Sequence, residues 1–151
     1  MNVNENLILV NLVASNKIEA LQQLAQAALK ANVITEQSEY LRSVEKRELE
    51  ISTNMGNGIA IPHGRSNVVI TPYFAFAKMS SPIQWNEESE SNVDLIFMLG
   101  VPELSEPSEH LRLLSKLAGK LVNDSFVDSL RSLNNQKEAV ELFSQLNFEE
   151  E

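Results

Sequence analysis

The two histidines are the residues of this 151-residue chain best suited to covalent chemistry. His63 stands between Pro62 and Gly64 in the segment GNGIAIPHGR, residues 56–65. Proline restricts the backbone before the ring and glycine adds little bulk after it, so another molecule could approach the imidazole closely. If one ring nitrogen bonds to the backbone, the other is left as a nucleophile. This chemistry suits phosphoryl transfer, because a phosphoramidate bond remains reactive enough to pass the group onward.

The second histidine, His110, falls in the first turn of a helix predicted after Pro107. Positions 110, 114, 117 and 121 lie along one helical stripe, and the last three are leucines. His110 is therefore expected to begin the face that packs inward. A helix N-terminus favours anions and disfavours an imidazolium, which predicts a neutral ring beside a bound oxyanion.

Both histidines also have purely structural interpretations. A histidine in a Gly-Pro turn is commonly structural or exposed, and one that heads an apolar stripe is commonly a hydrogen-bonded boundary residue. A metal site is disfavoured, because neither HxxxH spacing nor a local cluster of ligands occurs. Ser52, Thr53 and the loop to Gly58 could cap a helix or form an anion nest, but they lack the lysine of a phosphate-binding P-loop.

Composition limits the classes of function. A hydrophobic content of 43% with 22% charged residues predicts one folded domain over residues 1–151. The net charge of −9 argues against nucleic acid or an anionic membrane as the main partner. The absence of cysteine excludes disulfides and thiolate chemistry within the chain. Since the sequence has neither an export signal nor an apolar run of membrane-spanning length, we expect a soluble cytoplasmic protein.

The elements that must position the histidines follow from hydrophobic periodicity. Helical spacing over residues 17–30 follows Asn16, which with Glu19 makes a capping pair, and Thr35 is predicted to cap a second helix over residues 36–48. Strands in the middle of the chain with helices on either side predict a three-layer α/β/α sandwich around a mixed sheet. The predicted strands are residues 7–10, 59–61, 73–79 and 93–99 with a possible hairpin arm at 82–85, and the later helices are 108–122, 125–133 and 137–146.

Two segments resemble one protein family, the fructose/mannitol-type enzyme IIA components of the bacterial phosphoenolpyruvate-dependent sugar phosphotransferase system. Residues 47–65, RELEISTNMGNGIAIPHGR, are similar to its Arg-Glu pair, Ser/Thr and Gly loop, and Pro-His-Gly. Residues 93–118, VDLIFMLGVPELSEPSEHLRLLSKLA, resemble its apolar strand, Val-Pro-Glu and His-Leu-x-x-Leu helix start. The similarity extends over essentially the whole chain in element order. It implies the same fold, a mixed sheet between helices.

The resemblance implies roles for three residues. His63 matches the phosphorylated histidine, which receives a phosphoryl group from the phosphocarrier HPr and gives it to an enzyme IIB that serves a membrane IIC permease. His110 matches a second active-site histidine, expected to orient or stabilise the phosphoryl group. Arg47 matches the active-site arginine, whose planar guanidinium could pair with phosphoryl oxygens. We expect no cofactor, no metal ion, no nucleic-acid partner and no direct membrane insertion.

Three functions remain open at the level of sequence. A phosphohistidine carrier for a sugar permease is favoured, since SSPIQWNEESESNVDLIFML resembles the fructose-type components. A nitrogen-type regulatory protein, whose phosphorylation state controls protein partners, is the alternative within the family. A hydrolase or metal enzyme that uses both histidines is the third. Without a cysteine-bearing IIB segment or a membrane portion, the chain resembles a free-standing component or one domain of a longer protein.

Overall fold

A computed structural model shows one mixed β-sheet between two layers of helices. It describes residues 4–87 and 92–145, except for the side chains of Glu109 and His110. After a short 3-10 turn at Glu5–Leu7, the elements are β1 (Ile8–Leu12), α1 (Lys17–Lys30), α2 (Gln37–Glu50), β2 (Asn54–Gly56), β3 (Ile59–Ala60), β4 (His63–Ser66), β5 (Tyr73–Gln84), β6 (Asn92–Pro102), α3 (Pro107–Leu121), α4 (Asp124–Arg131) and α5 (Gln136–Ser144).

The long antiparallel pair of β5 and β6 forms the centre of the sheet. The strand order is β1-β5-β6-β3-β2, and β4 follows β3 along the same edge of β6. Strand β1 runs parallel to β5, β3 and β4 run parallel to β6, and β2 is antiparallel to β3. The predicted mixed sheet and three-layer α/β/α architecture are confirmed.

Each face of the sheet has its own apolar core. Helices α1 and α2 cover one face, where Tyr40, Val44 and Trp85 are buried, and the Tyr40 hydroxyl donates to the Leu99 carbonyl at 2.7 Å. Helices α3, α4 and α5 cover the other face around a cluster of four phenylalanines. The phenylalanines are Phe74, Phe76, Phe97 and Phe143. Over the described part of the chain, none of the helices is long and apolar enough to span a bilayer.

The N-terminal caps of α1 and α2 are polar side chains. The amide of Glu19 donates to Asn16 Oδ1 at 2.9 Å, which confirms the predicted cap of α1. The predicted Thr35 cap of α2 is wrong. Glu36 is the cap instead, because its carboxylate accepts from the amides of Ser38 and Glu39 at 2.8 Å each. The Thr35 hydroxyl is directed to the Val68 carbonyl, 3.4 Å away.

The strands differ from the sequence pattern at three places. β5 continues through Pro82, where its register against β6 shifts between Lys78 and Ile83, so the missing N–H falls at an irregularity in the ladder. The expected loop before Gly58 contains β2, which turns into β3 through Asn57 and Gly58 at φ 57° and 78°. This is the backbone of an Asn-Gly hairpin turn. The third difference is β4, which carries His63.

Candidate functional site

His63 is the first residue of β4 and not the last residue before a turn. A Gly-Pro turn was one interpretation of this segment, but residues 63–66 pair in parallel with β6, with His63 opposite Leu99. Pro62 separates β3 from β4 because it has no N–H to donate. Its carbonyl still accepts from the Leu99 amide at 3.0 Å. The ring is therefore carried by a backbone fixed on both sides of the proline.

Helix α2 approaches β4 very closely at Gly64. A Cβ on Gly64 would lie 2.2 Å from Ser43 Oγ, 3.0 Å from Val44 Cγ2 and 3.2 Å from the Val44 amide nitrogen. Any side chain would push the helix away from the strand. The small residue after His63 therefore brings the last turns of α2, with Arg47, next to the imidazole.

The imidazole of His63 is held in one tautomer. Its Nδ1 lies 2.9 Å from the carbonyl oxygen of Ile61. A carbonyl can only accept, so Nδ1 carries the proton and Nε2 carries the lone pair. Burial lowers the pKa of His63 below its ordinary value, and the charge of Arg47 acts in the same direction. The bond to Ile61 and the charges of Glu48 and Glu50 raise the pKa but do not offset burial.

His63, which is 7% exposed, lines a surface pocket of about 260 Å³. Arg47 forms part of the wall, and its Nη1 donates to the Ile51 carbonyl at 2.8 Å, which fixes the guanidinium at the end of α2. A guanidinium has five N–H donors, more than this contact uses. The pocket thus combines a neutral nucleophile with fixed positive charge, in a chain whose overall charge is strongly negative. Its lining residues are Ser43, Lys46, Arg47, Glu50, His63, Gly64 and Arg65.

Arg65 connects β4 to the loop between β6 and α3. Its Nε donates to the Glu103 carbonyl at 3.0 Å and its Nη2 donates to the Ser105 carbonyl. His110 lies in the first turns of α3, as expected, but its side chain is outside the described residues. The structure thus brings His63 and Arg47 to one pocket, while the predicted position of the His110 ring stays a prediction.

Sequence analysis missed four charged residues near the ring. Lys46, Glu50 and Arg65 line the pocket with His63, and Glu48 contributes to its electrostatics. Spacing could have revealed part of this set, because Ser43, Lys46, Arg47 and Glu50 recur at intervals of three and four on α2. The predicted helix ended at residue 48, two residues too early. The proposed anion nest at Thr53 is instead bonded to a carboxylate, since the Thr53 hydroxyl donates to Glu48.

Comparison with known proteins identifies the family. Residues 1–146 match the family model described as phosphoenolpyruvate-dependent sugar phosphotransferase system, EIIA 2. This chain belongs to that family. The EIIA component is 30% identical to the PTS system fructose-like EIIA component of Escherichia coli K12 over 81% of this chain and 82% of the relative. It is 34% identical to the nitrogen regulatory protein of Pseudomonas aeruginosa PAO1, over 82% and 80% of the two chains.

Solved structures show the same fold. The nitrogen regulatory protein IIA-Ntr from Neisseria meningitidis superposes with a TM-score of 0.82 at 29% identity, covering 92% of this chain and 94% of the other. Mannitol enzyme IIA from Escherichia coli, in a complex with phosphorylated enzyme IIB, gives a TM-score of 0.80 at 20% identity over 96% and 99%. EIIA components are phosphotransferase carriers, so the chain is a phosphocarrier of this system, and its relatives include both sugar-transport and nitrogen-regulatory proteins.

Proposed function

We propose that this EIIA component carries the phosphoryl group on Nε2 of His63, accepts it from phospho-HPr and passes it to an enzyme IIB. Through IIB, the group would serve sugar uptake and phosphorylation by a membrane IIC permease, with a fructose-like system favoured. The protein would act in the cytoplasm, where HPr and IIB meet it. Arg47 and His110 are proposed to stabilise the phosphoryl oxygens during transfer.

The geometry of the His63 ring is the observation that supports this proposal most strongly. The Nδ1–H bond to the Ile61 carbonyl places the lone pair on Nε2, and burial lowers the pKa so that the ring stays neutral. Arg47 lines the same pocket. A neutral nucleophile next to a fixed cation is what transfer of an anionic group requires.

The transfer balances without a cofactor. The Nε2 lone pair of His63 attacks phosphorus as the N–P bond of the donor phosphohistidine breaks, and that electron pair returns to the donor ring. In the second step a IIB thiolate attacks phosphorus, and the His63 N–P bond breaks. The phosphoryl group bears its charge on three oxygens in both transition states, where Arg47 can pair with two of them.

The two histidines provide matched variants for the test. Incubation with phospho-HPr is expected to give one acid-labile phosphate on the wild-type protein and none on His63→Ala, by mass spectrometry. His110→Ala is expected to accept the group on His63 but to hand it to IIB more slowly. Phosphate on His63→Ala, or a His110→Ala variant that accepts none, would contradict these assignments.

The regulatory branch is the second candidate function. The nitrogen regulatory relatives support it, because their similarity to this chain is comparable to that of the fructose-like relative. Phosphate transfer from the EIIA component to a purified fructose-type IIB separates the two functions. Rapid transfer favours the sugar branch. A phosphorylated protein that keeps its phosphate in the presence of IIB favours the regulatory branch.

A further inference from the structure

Glu48 directly follows Arg47 on α2, yet its side chain is only 5% exposed. Three donors surround its carboxylate. The Thr53 hydroxyl donates to Oε1, the Thr53 amide nitrogen lies 3.4 Å from Oε2, and Lys17 Nζ lies 3.7 Å from Oε2. Burial of a carboxylate is costly unless such partners offset the lost hydration. The proposed phosphoryl transfer does not use this carboxylate.

Thr53 is in turn bonded to the segment that precedes the reactive ring. Its carbonyl accepts from the Ile61 amide at 3.0 Å. The carbonyl of Ile61 accepts from Nδ1 of His63 at 2.9 Å. Three successive hydrogen bonds therefore join Glu48 to His63 through Thr53 and Ile61. Each of these bonds restrains the residue that makes the next one, so the series can fix the position of the Ile61 carbonyl.

We propose that Glu48 is a positioning residue for His63 that acts through Thr53 and Ile61. By holding Thr53, Glu48 fixes the Ile61 carbonyl, and this carbonyl selects the tautomer with the proton on Nδ1 and the lone pair on Nε2. The inference rests on the proposed function of His63 as the phosphoryl acceptor, because the tautomer limits transfer only if Nε2 is the nucleophile. Glu48 thus determines which ring nitrogen of His63 carries the lone pair, although it does not contact the ring through any of these bonds.

Geometry and charge at position 48 can be separated by substitution. Glu48→Gln keeps an oxygen that can accept from the Thr53 hydroxyl but removes the negative charge. Glu48→Ala removes both. Thr53→Val removes the hydroxyl donor while preserving the branched shape, and Thr53→Ser restores the hydroxyl.

Nitrogen NMR of the unphosphorylated full chain, recorded across pH, measures the tautomer and the pKa of the His63 ring. The single-turnover rate with phospho-HPr then measures phosphoryl uptake. Glu48→Ala and Thr53→Val are expected to mix the two tautomers and to slow phosphoryl uptake about tenfold. Glu48→Gln is expected to keep the Nδ1-protonated tautomer and to titrate at a lower pH, because the carboxylate charge raises the pKa of His63. Thr53→Ser should behave as wild type.

Asp94→Asn is the matched control. Asp94 is another partly buried carboxylate, which pairs with Arg131 at 2.9 Å, and its amide donates to the Gly58 carbonyl at the turn of the β2–β3 hairpin. Asp94→Asn is expected to leave the His63 tautomer unchanged.

Wild-type tautomers in both Glu48→Ala and Thr53→Val, or an equal change in Asp94→Asn, would overturn the positioning role. The tautomer is measured without any transfer. A His63 that accepts no phosphate from phospho-HPr would instead overturn the proposed function, and the two failures remain distinct.

Discussion

The imidazole of His63 must be neutral when it attacks phosphorus, because a protonated ring has no lone pair on Nε2. Burial supplies the largest lowering of its pKa, and the charge of Arg47 adds to it. The Ile61 carbonyl and the charges of Glu48 and Glu50 oppose this change. The pKa of His63 therefore lies below the ordinary histidine value of about 6.5, and the ring is neutral at neutral pH.

The lowered pKa predicts how phosphoryl uptake depends on pH. As the pH falls through about 6.5, where an ordinary histidine gains its proton, the uptake rate should stay nearly constant and decline only at more acidic pH. Arg47→Ala removes a positive charge that disfavours the imidazolium of His63. In this variant the pKa of His63 should rise, and the uptake rate should begin to decline at a higher pH. Single-turnover rates with phospho-HPr, alongside NMR titration of the ring, measure both. A wild-type midpoint at or above the ordinary histidine value would contradict this account.

At the scale of elements, the site depends on the contact between α2 and β4. Gly64 pairs with Gly100 on β6, and α2 occupies the space that a Cβ on Gly64 would need. The same helix is attached to β6 by the Tyr40 hydroxyl, which donates to Leu99 opposite His63. The close contact between α2 and β4 thus fixes the position of Arg47 relative to His63.

Gly64→Ala should break this contact. The new methyl group would meet Ser43 Oγ and the backbone of Val44, so we expect a loss of about 1–3 kcal/mol in the free energy of unfolding, as overpacking usually causes. Urea denaturation measures it. Gly119→Ala is the control, since a Cβ there meets nothing within 4 Å, and alanine in a helix should stabilise by up to about 1 kcal/mol. Equal stabilities of the two variants would be inconsistent with a close approach at Gly64.

Sequence patterns predicted the elements whose stability is mostly local. Helix α1 has the predicted bounds because its apolar period and its Asn16 cap are local features that define the same 14-residue segment. Strand β4 was missed because residues 63–66 have no strand pattern of their own and are extended only through pairing with β6. The continuation of β5 through Pro82 also depends on β6, whose register tolerates the irregularity.

The same division applies to the site. Residue types and order indicated His63, and the family resemblance implied Arg47; the two line one pocket. The resemblance included Glu48 in the Arg-Glu pair but implied no role for it, because the proposed role arises from a contact with Thr53 that forms only when the loop after α2 folds back. A side chain whose role depends on what it contacts in three dimensions cannot be distinguished, in sequence, from the other glutamates of α2.

At the scale of the whole molecule, the two cores are held together by the sheet they share. Phe143 on α5 joins the last helix to this sheet. Its ring centroid lies 5.6 Å from that of Phe74, 5.1 Å from that of Phe76 and 6.0 Å from that of Phe97. Since Phe143 is fully buried, its contacts fix α5 on the sheet.

Phe143→Ala is expected to lower the free energy of unfolding by about 3–5 kcal/mol, because it leaves a cavity among three aromatic rings. Chemical denaturation measures the loss. Val122→Ala serves as the control, since Val122 is 76% exposed and its change should stay within about 0.5 kcal/mol. A small loss for Phe143→Ala would show that α5 contributes little to the core.

The parallel pairing of β1 with β5 has a consequence during synthesis on the ribosome. Ile8 cannot meet Phe76 until that residue has left the exit tunnel, and β5 lacks its central neighbour until β6 follows. Contacts between such distant segments form slowly, so α1 emerges with its apolar side uncovered. A nascent fragment that stops before Leu99 would contain the whole Pro-His-Gly motif but would lack residues 99–102 of β6, with which β4 pairs. The ability to carry a phosphoryl group would therefore arise only after residues 99–102 have left the exit tunnel.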